Sequence, residues 1–196
     1  MPDSELKAML ELLSLLILDW RTGILILLLV TAAITDFRTH RIPNWLVLSG
    51  TLFGLIYNMA FPPFRHASLL WPLEGLALGL IVFLPLYLLR IMGAGDVKLM
   101  AMVGAFIGPT DMVWVLPYTM IIGGVLSIVL VLVRGTARRM FSNLNTLFQL
   151  TYLNTMSGGR PDFRIDTRAS AGKLPYGIAI AIGTIGYLTL HQLNFL

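Results

Sequence analysis

Beyond residue 19 the chain alternates between long apolar runs and short polar breaks, and the runs have helical rather than strand length. A helix needs about 20 predominantly apolar residues to cross a ~30 Å hydrocarbon core. On that measure six spans are expected, at about 20–35, 44–61, 69–92, 96–108, 112–133 and 175–190. Pro43 and Asn44 are start signals for the second. The third contains Pro72 and Pro85, and the fourth opens at Asp96 and stops near Gly108 and Pro109. That fourth span is short: residues 97–107 make only ~16 Å of helix at 1.5 Å per residue. Either the bilayer is thinned there or the helix begins below the membrane surface. In the second case the preceding "GAG" is non-helical backbone at depth, which is tolerated only inside protein or beside a wet cavity. Residues 4–19, rich in acids and leucines, predict an amphipathic lead-in helix without the basic start of a signal peptide. Residues 134–173 are the one long polar segment, and "MFSNLNTLFQLTYL" within it is compatible with an interfacial helix. No internal repeat stands out.

The basic residues orient this arrangement. Cytoplasmic loops collect Lys and Arg. Six spans place 11 of the 14 Lys and Arg residues on one side and only Lys7, Arg21 and Arg65 on the other. The loops after the first, third and fifth spans therefore face the cytoplasm, and both termini face outward. Residues 134–173 hold seven basic residues against Asp162 and Asp166. Attraction to anionic lipid at the cytoplasmic face accounts for that excess, and docking of other machinery is the alternative use.

Composition removes the soluble alternative. Only 12% of the residues are charged and 57% are hydrophobic, with a mean hydropathy of +0.81. A soluble domain carries roughly 25% charged residues, so this chain lacks the polar surface for water. The expected fold is all-α: a single membrane-embedded domain over 1–196. No cysteine is present, which excludes disulfides, thiol nucleophiles and cysteine zinc sites. His40, His66 and His191 are too scattered for a metal-ligand spacing, and neither a metal nor a cofactor is expected. Nothing in the pattern points to nucleic acid.

Two acids then acquire meaning. Asp36 closes the first span in "TAAITDFRTHRIPN" and Asp96 opens the fourth in "IMGAGDVKLM", so both fall at the cytoplasmic edge of the apolar core. An ionisable group at membrane depth is a candidate functional site. Like charges at close range cannot both ionise, so one carboxyl of such a pair keeps a proton while the other acts as a base. A water between them could hydrolyse an amide. Gly93 and Gly95, without Cβ atoms, leave room for a substrate backbone. Plainer roles exist for each acid: Asp96 as a helix N-cap, Asp36 as an interfacial partner of Arg38. Against both, the expected cytoplasmic side holds only four acids, and two of them fall at span boundaries.

"GAGDVK" at 93–98 fits the Gly-x-Gly-Asp-x-Lys motif of the type IV prepilin peptidases, which are intramembrane aspartyl proteases. "TDFRTHRIPNWL" at 35–46 resembles that family's other catalytic stretch, and "KLPYGIAIAIG" at 173–183 its Pro-Tyr-Gly entry to the last span. The likeness extends over most of residues 22–190. It implies that Asp36 and Asp96 are the catalytic pair, that Gly93 and Gly95 shape the loop, and that Lys98 accompanies the second Asp. It also implies that Arg38, Pro43, Asn44, Pro175, Tyr176 and Gly177 border the substrate cleft. The substrate class would be prepilins, cut at the cytoplasmic face of a bacterial inner membrane to release a short basic leader. Larger members add a cysteine zinc domain linked to N-methylation. Without cysteine, the chain resembles the short peptidase-only branch that serves Flp-type pili, with the pilus assembly machinery as a further partner.

Other features read more plainly. Pro175 suits the first turn of the last span, Glu74 an outer interface and His40 a loop. The alternative from another class is a small proton-coupled transporter or channel using the same acids as relay sites, against which stand their position at one edge and the lack of inverted repeats.

Overall fold

The computed structural model describes residues 20–61, 70–89, 91–133 and 176–192. Among these the secondary structure is helical, in five elements: α1 (Trp20–Thr39), α2 (Asn44–Ala60), α3 (Trp71–Leu88), α4 (Ala94–Val133) and α5 (Tyr176–Gln192). The expected lead-in helix at 4–19, the basic segment at 134–173 and Pro175 lie outside the described residues. Two compact units are present. One takes in Met1–Gly123 and Pro175–Leu196 and holds the core. The other, Gly124–Leu174, contributes residues 124–133 of α4 to the described part.

Apolar residues with few charges can satisfy their main chain only internally, and a helix does this completely. Even the polar side chains of α1 are absorbed locally. Thr31, Thr35 and Thr39 donate their hydroxyls to the carbonyls of Leu27, Thr31 and Thr35 one turn back, at 2.8, 3.0 and 2.8 Å. The helix runs four residues past the expected end at Thr35 and stops where His40 enters the left-handed region at φ 50. Pro43, extended at φ −63 and ψ 131, then leads into α2.

α1, α3 and α4 are long and apolar enough to cross a membrane. α2 and α5 have 17 residues each, ~26 Å of helix at 1.5 Å per residue. Large apolar side chains cover the outside as well: Leu27, Ile56, Ile81 and Ile121 are all more than 60% exposed. Helices apolar on every face belong in a membrane, and the chain is a membrane protein.

The fourth and fifth expected spans are two helical arms, together 40 residues, joined at a kink at Gly108, with φ 76 and ψ −179. Only glycine adopts that conformation readily, and Pro109 follows it. The break falls where the sequence places the stop, but helix resumes at once, so no separate connection precedes the second arm. The first arm begins at Ala94 rather than at Asp96. Of the "GAG" stretch only Gly93 is non-helical, which corrects the expectation of a non-helical approach; the cause is a cap described below.

The first arm lies at the centre of its unit. Residues 99–108 are buried without interruption. Two neighbours approach it through glycine pairs four residues apart, the spacing that puts small residues on one face and lets helices close up. On α2, a Cβ at Gly50 would strike Met102 and Leu28, and one at Gly54 would strike Phe106. On α3, a Cβ at Gly75 would fall on the Gly104 carbonyl, and one at Gly79 would come within 2.6 Å of the Met100 carbonyl. Gly104 meets Gly75 in return, and Gly108 receives the Trp71 indole. α1 packs along α5, and Gly183 of α5 abuts Thr119 in the second arm. Leu25, Leu29, Leu46, Leu99, Met112 and Ile180 join these helices in one apolar core.

Candidate active site

The alternation of these helices brings four chain positions to one end: the last turn of α1 and the first turns of α2, α4 and α5. Asp36 lies in that last turn of α1, inside the helix. It is 5% exposed, and Asp96 is 8% exposed. Burying a carboxylate is costly unless hydrogen bonds replace its water. Both acids receive one such bond from a main-chain amide.

Asp96 is the third helical residue of α4. Its Oδ2 accepts the Gly93 N–H at 3.0 Å, and its own N–H donates to the Gly93 carbonyl at 3.2 Å. The first bond is half of a capping box with glycine in the N-cap place; glycine has no side chain to return the other half, and its carbonyl accepts instead. It starts the helix at Ala94, two residues earlier than expected. Gly95 consequently lies in the first helical turn, where a Cβ would come within 3.3 Å of Ile42 Cβ. The "RIPN" turn therefore packs on the "GAGD" turn. Lys98 is exposed and donates to Asn44 Oδ1 at 3.2 Å, a second tie between the same two segments.

Asp36 is held from further away in sequence. Its Oδ2 accepts the Gly177 N–H at 2.8 Å, across 141 positions of chain. The first N–H groups of a helix have no intrahelical partner, and this one finds a carboxylate. A Cβ at position 177 would lie 2.9 Å from Asp36 Oδ2 and 3.0 Å from Asp36 Cβ. The backbone of α5 comes this near only because the residue is glycine. His40 is exposed, and its main-chain N–H donates to the Asp36 carbonyl at 2.8 Å.

Asp36, in the last turn of α1, and Asp96, in the first turn of α4, therefore lie at the same end of the bundle. The second oxygen of each accepts no hydrogen bond from the described residues. The arrangement is thus two buried carboxyls, each clamped through Oδ2 by a main-chain amide. Such a pair can share one proton and divide the roles of acid and base.

The remaining candidates divide by position. Arg38 is exposed in the last turn of α1. Pro43 is the N-cap residue of α2 and Asn44 its first residue, while Tyr176 is the first residue of α5, half-buried beside Gly123. Glu74 is exposed in the first turn of α3, at the opposite end from the aspartates.

Sequence reasoning missed a polar group at that opposite end. Asn58 is 2% exposed and donates to the carbonyls of Ala105 and Phe106 at 2.8 and 3.0 Å. Pro109 has no N–H to offer Ala105 one turn back, so Asn58 replaces the lost helical bond. Arg21 in turn donates to Asn58 Oδ1 at 3.1 Å. The signal in the sequence was an amide in an apolar run, but its target depends on how α2 lies against α4.

A family model described as the type IV leader peptidase family matches residues 23–129. The match takes in Asp36 and Asp96 and ends before α5. No curated protein and no solved structure matches the chain.

Proposed function

The chain belongs to the type IV leader peptidase family, and from that premise we propose that it is an intramembrane aspartyl endopeptidase that removes short basic leaders from prepilins. The observation that supports the reading is the placement of Asp36 and Asp96: both are buried at one end of the bundle, and each is fixed by a glycine amide. In this mechanism the ionised carboxylate takes a proton from a water molecule, whose oxygen attacks the scissile carbonyl carbon. The protonated carboxyl donates to the carbonyl oxygen as it gains charge. Collapse of the tetrahedral intermediate breaks the C–N bond, and a carboxyl proton passes to the leaving amine. A low-dielectric site strengthens each of these interactions.

The surroundings support a substrate that is itself a membrane helix. The pair opens at the helix ends rather than mid-bundle, so a hydrophobic helix could lie in lipid with its scissile bond at the boundary. Arg38, Arg41 and Lys98 at this end support a cytoplasmic face, and the reading takes six spans in a bacterial inner membrane. No observation favours the transporter alternative, and the family is one of peptidases.

Co-expression with a Flp-type prepilin, read by the mobility shift of leader loss, tests this. The native chain is expected to process the substrate, and Asp36→Asn or Asp96→Asn to abolish processing while still inserting. Substantial cleavage by either variant would sink the dyad.

A further inference from the structure

The family match ends at residue 129, yet one of the two carboxyl clamps comes from residue 177. We propose that the main-chain amide of Gly177 is a positioning group for Asp36, and that α5 is present at the site chiefly to supply it. The proposal rests on the peptidase reading for its consequence in catalysis, but the tether itself can be observed separately.

Three features carry it. Asp36 lies in the last turn of α1, where the aligned carbonyls repel a negative charge. The Gly177 N–H lies in the first turn of α5, where the aligned amides attract one. The 2.8 Å bond between them sets the favourable helix end against the unfavourable one. Second, no side chain fits: a Cβ at 177 would lie 2.9 Å from the very oxygen that accepts the bond. A glycine near a helix start carries a cost in helix stability relative to alanine, so its use here has a local cause. Third, the bond engages only Oδ2. It fixes the rotation of the carboxyl and leaves Oδ1 to the reacting water. Gly93 does the same for Asp96, but from within the same helix turn. The Asp36 clamp alone depends on packing between helices remote in sequence.

The test uses the full chain in lipid nanodiscs. Tyr176–Gly177 is the one Tyr–Gly pair in the chain and Met92–Gly93 the one Met–Gly pair. Isotope labelling of tyrosine or methionine carbonyls with glycine nitrogens therefore selects each amide without assigning the rest. The Gly177 amide resonance is expected to move in Asp36→Asn by more than in Asp96→Asn, and the Gly93 amide to respond in the opposite order. In Gly177→Ala, kcat for prepilin cleavage is expected to fall about 10- to 100-fold, the loss of a hydrogen bond to a charged acceptor. KM should change little, because the substrate's own contacts are intact. A Gly177 amide indifferent to Asp36→Asn overturns the proposal, and so does Gly177→Ala with native kcat. If Gly177→Ala fails to fold, the amide response of the Asp36 variant decides alone. An Asp36-dependent amide in a protein that cuts no prepilin would instead overturn the peptidase reading and leave the tether standing.

Discussion

Asp96 has two tasks that look like alternatives until its bonds are traced. Its Oδ2 closes the cap that starts α4, which is the plain structural use of an acid near a helix start. Its Oδ1 accepts no hydrogen bond from the described residues. The cap is therefore how the catalytic candidate is held, and Asp96→Asn should keep part of the cap while removing the charge. Asn58 is the counterpart at the other end, a buried amide that completes a helix broken by Pro109. Asn58→Leu would leave the Ala105 carbonyl without this bond or its helical one, at about 1–3 kcal/mol for a buried polar group left without a partner. The expected outcome is a lower unfolding midpoint in detergent with the dyad's chemistry retained. Gly108 is constrained differently. At φ 76, with Trp71 against it, Gly108→Ala should cost about 1–3 kcal/mol in backbone strain alone, and more from the collision with the indole.

Helices in this bundle are held close by glycine faces, which substitute for the water-driven burial that is weak inside a bilayer. The glycine pairs at 50/54, 75/79 and 104/108 all converge on the first arm of α4. This separates glycines that permit contact from glycines that do not. A Cβ at Gly186 meets nothing within 4 Å, whereas at Gly75 or Gly104 it meets backbone. Gly75→Ala or Gly104→Ala should therefore destabilise by about 1–3 kcal/mol or more, the usual range for overpacking. Gly186→Ala should be neutral or stabilising by about 0.4–1 kcal/mol through loss of unfolded-state freedom. Thermal unfolding of the three variants side by side checks the ranking. A uniform response would mean that α3 and α4 are not in backbone contact.

For the molecule as a whole, orientation is the property on which the substrate reading depends. A chain without cysteine is a ready background for single-cysteine labelling. Arg41→Cys, beside the aspartates, is expected to react with an impermeant thiol reagent only after the cytoplasmic side is opened. Phe61→Cys, just past the end of α2, should react from outside. The reverse pattern would place the dyad on the wrong face for leader removal. The site itself is assembled from helix ends distant along the chain, so loosening the packing of α1 on α5 should impair cleavage before it unfolds the protein.

The apolar runs, the lack of charge and the bias of Lys and Arg are properties of composition and order, so the sequence by itself determined a helical membrane protein and singled out Asp36 and Asp96. It also placed the break at Gly108 and Pro109, because glycine and proline act locally on the main chain. Hydropathy windows do not resolve single turns, so the true starts of α4 and the true end of α1 emerged only from the hydrogen bonds of Asp96 and the turn at His40. The Gly177 clamp, the Lys98–Asn44 tie and the role of Asn58 required the folded chain. Each joins residues 37 or more positions apart, and such partners are chosen by how helices pack, which no local pattern encodes.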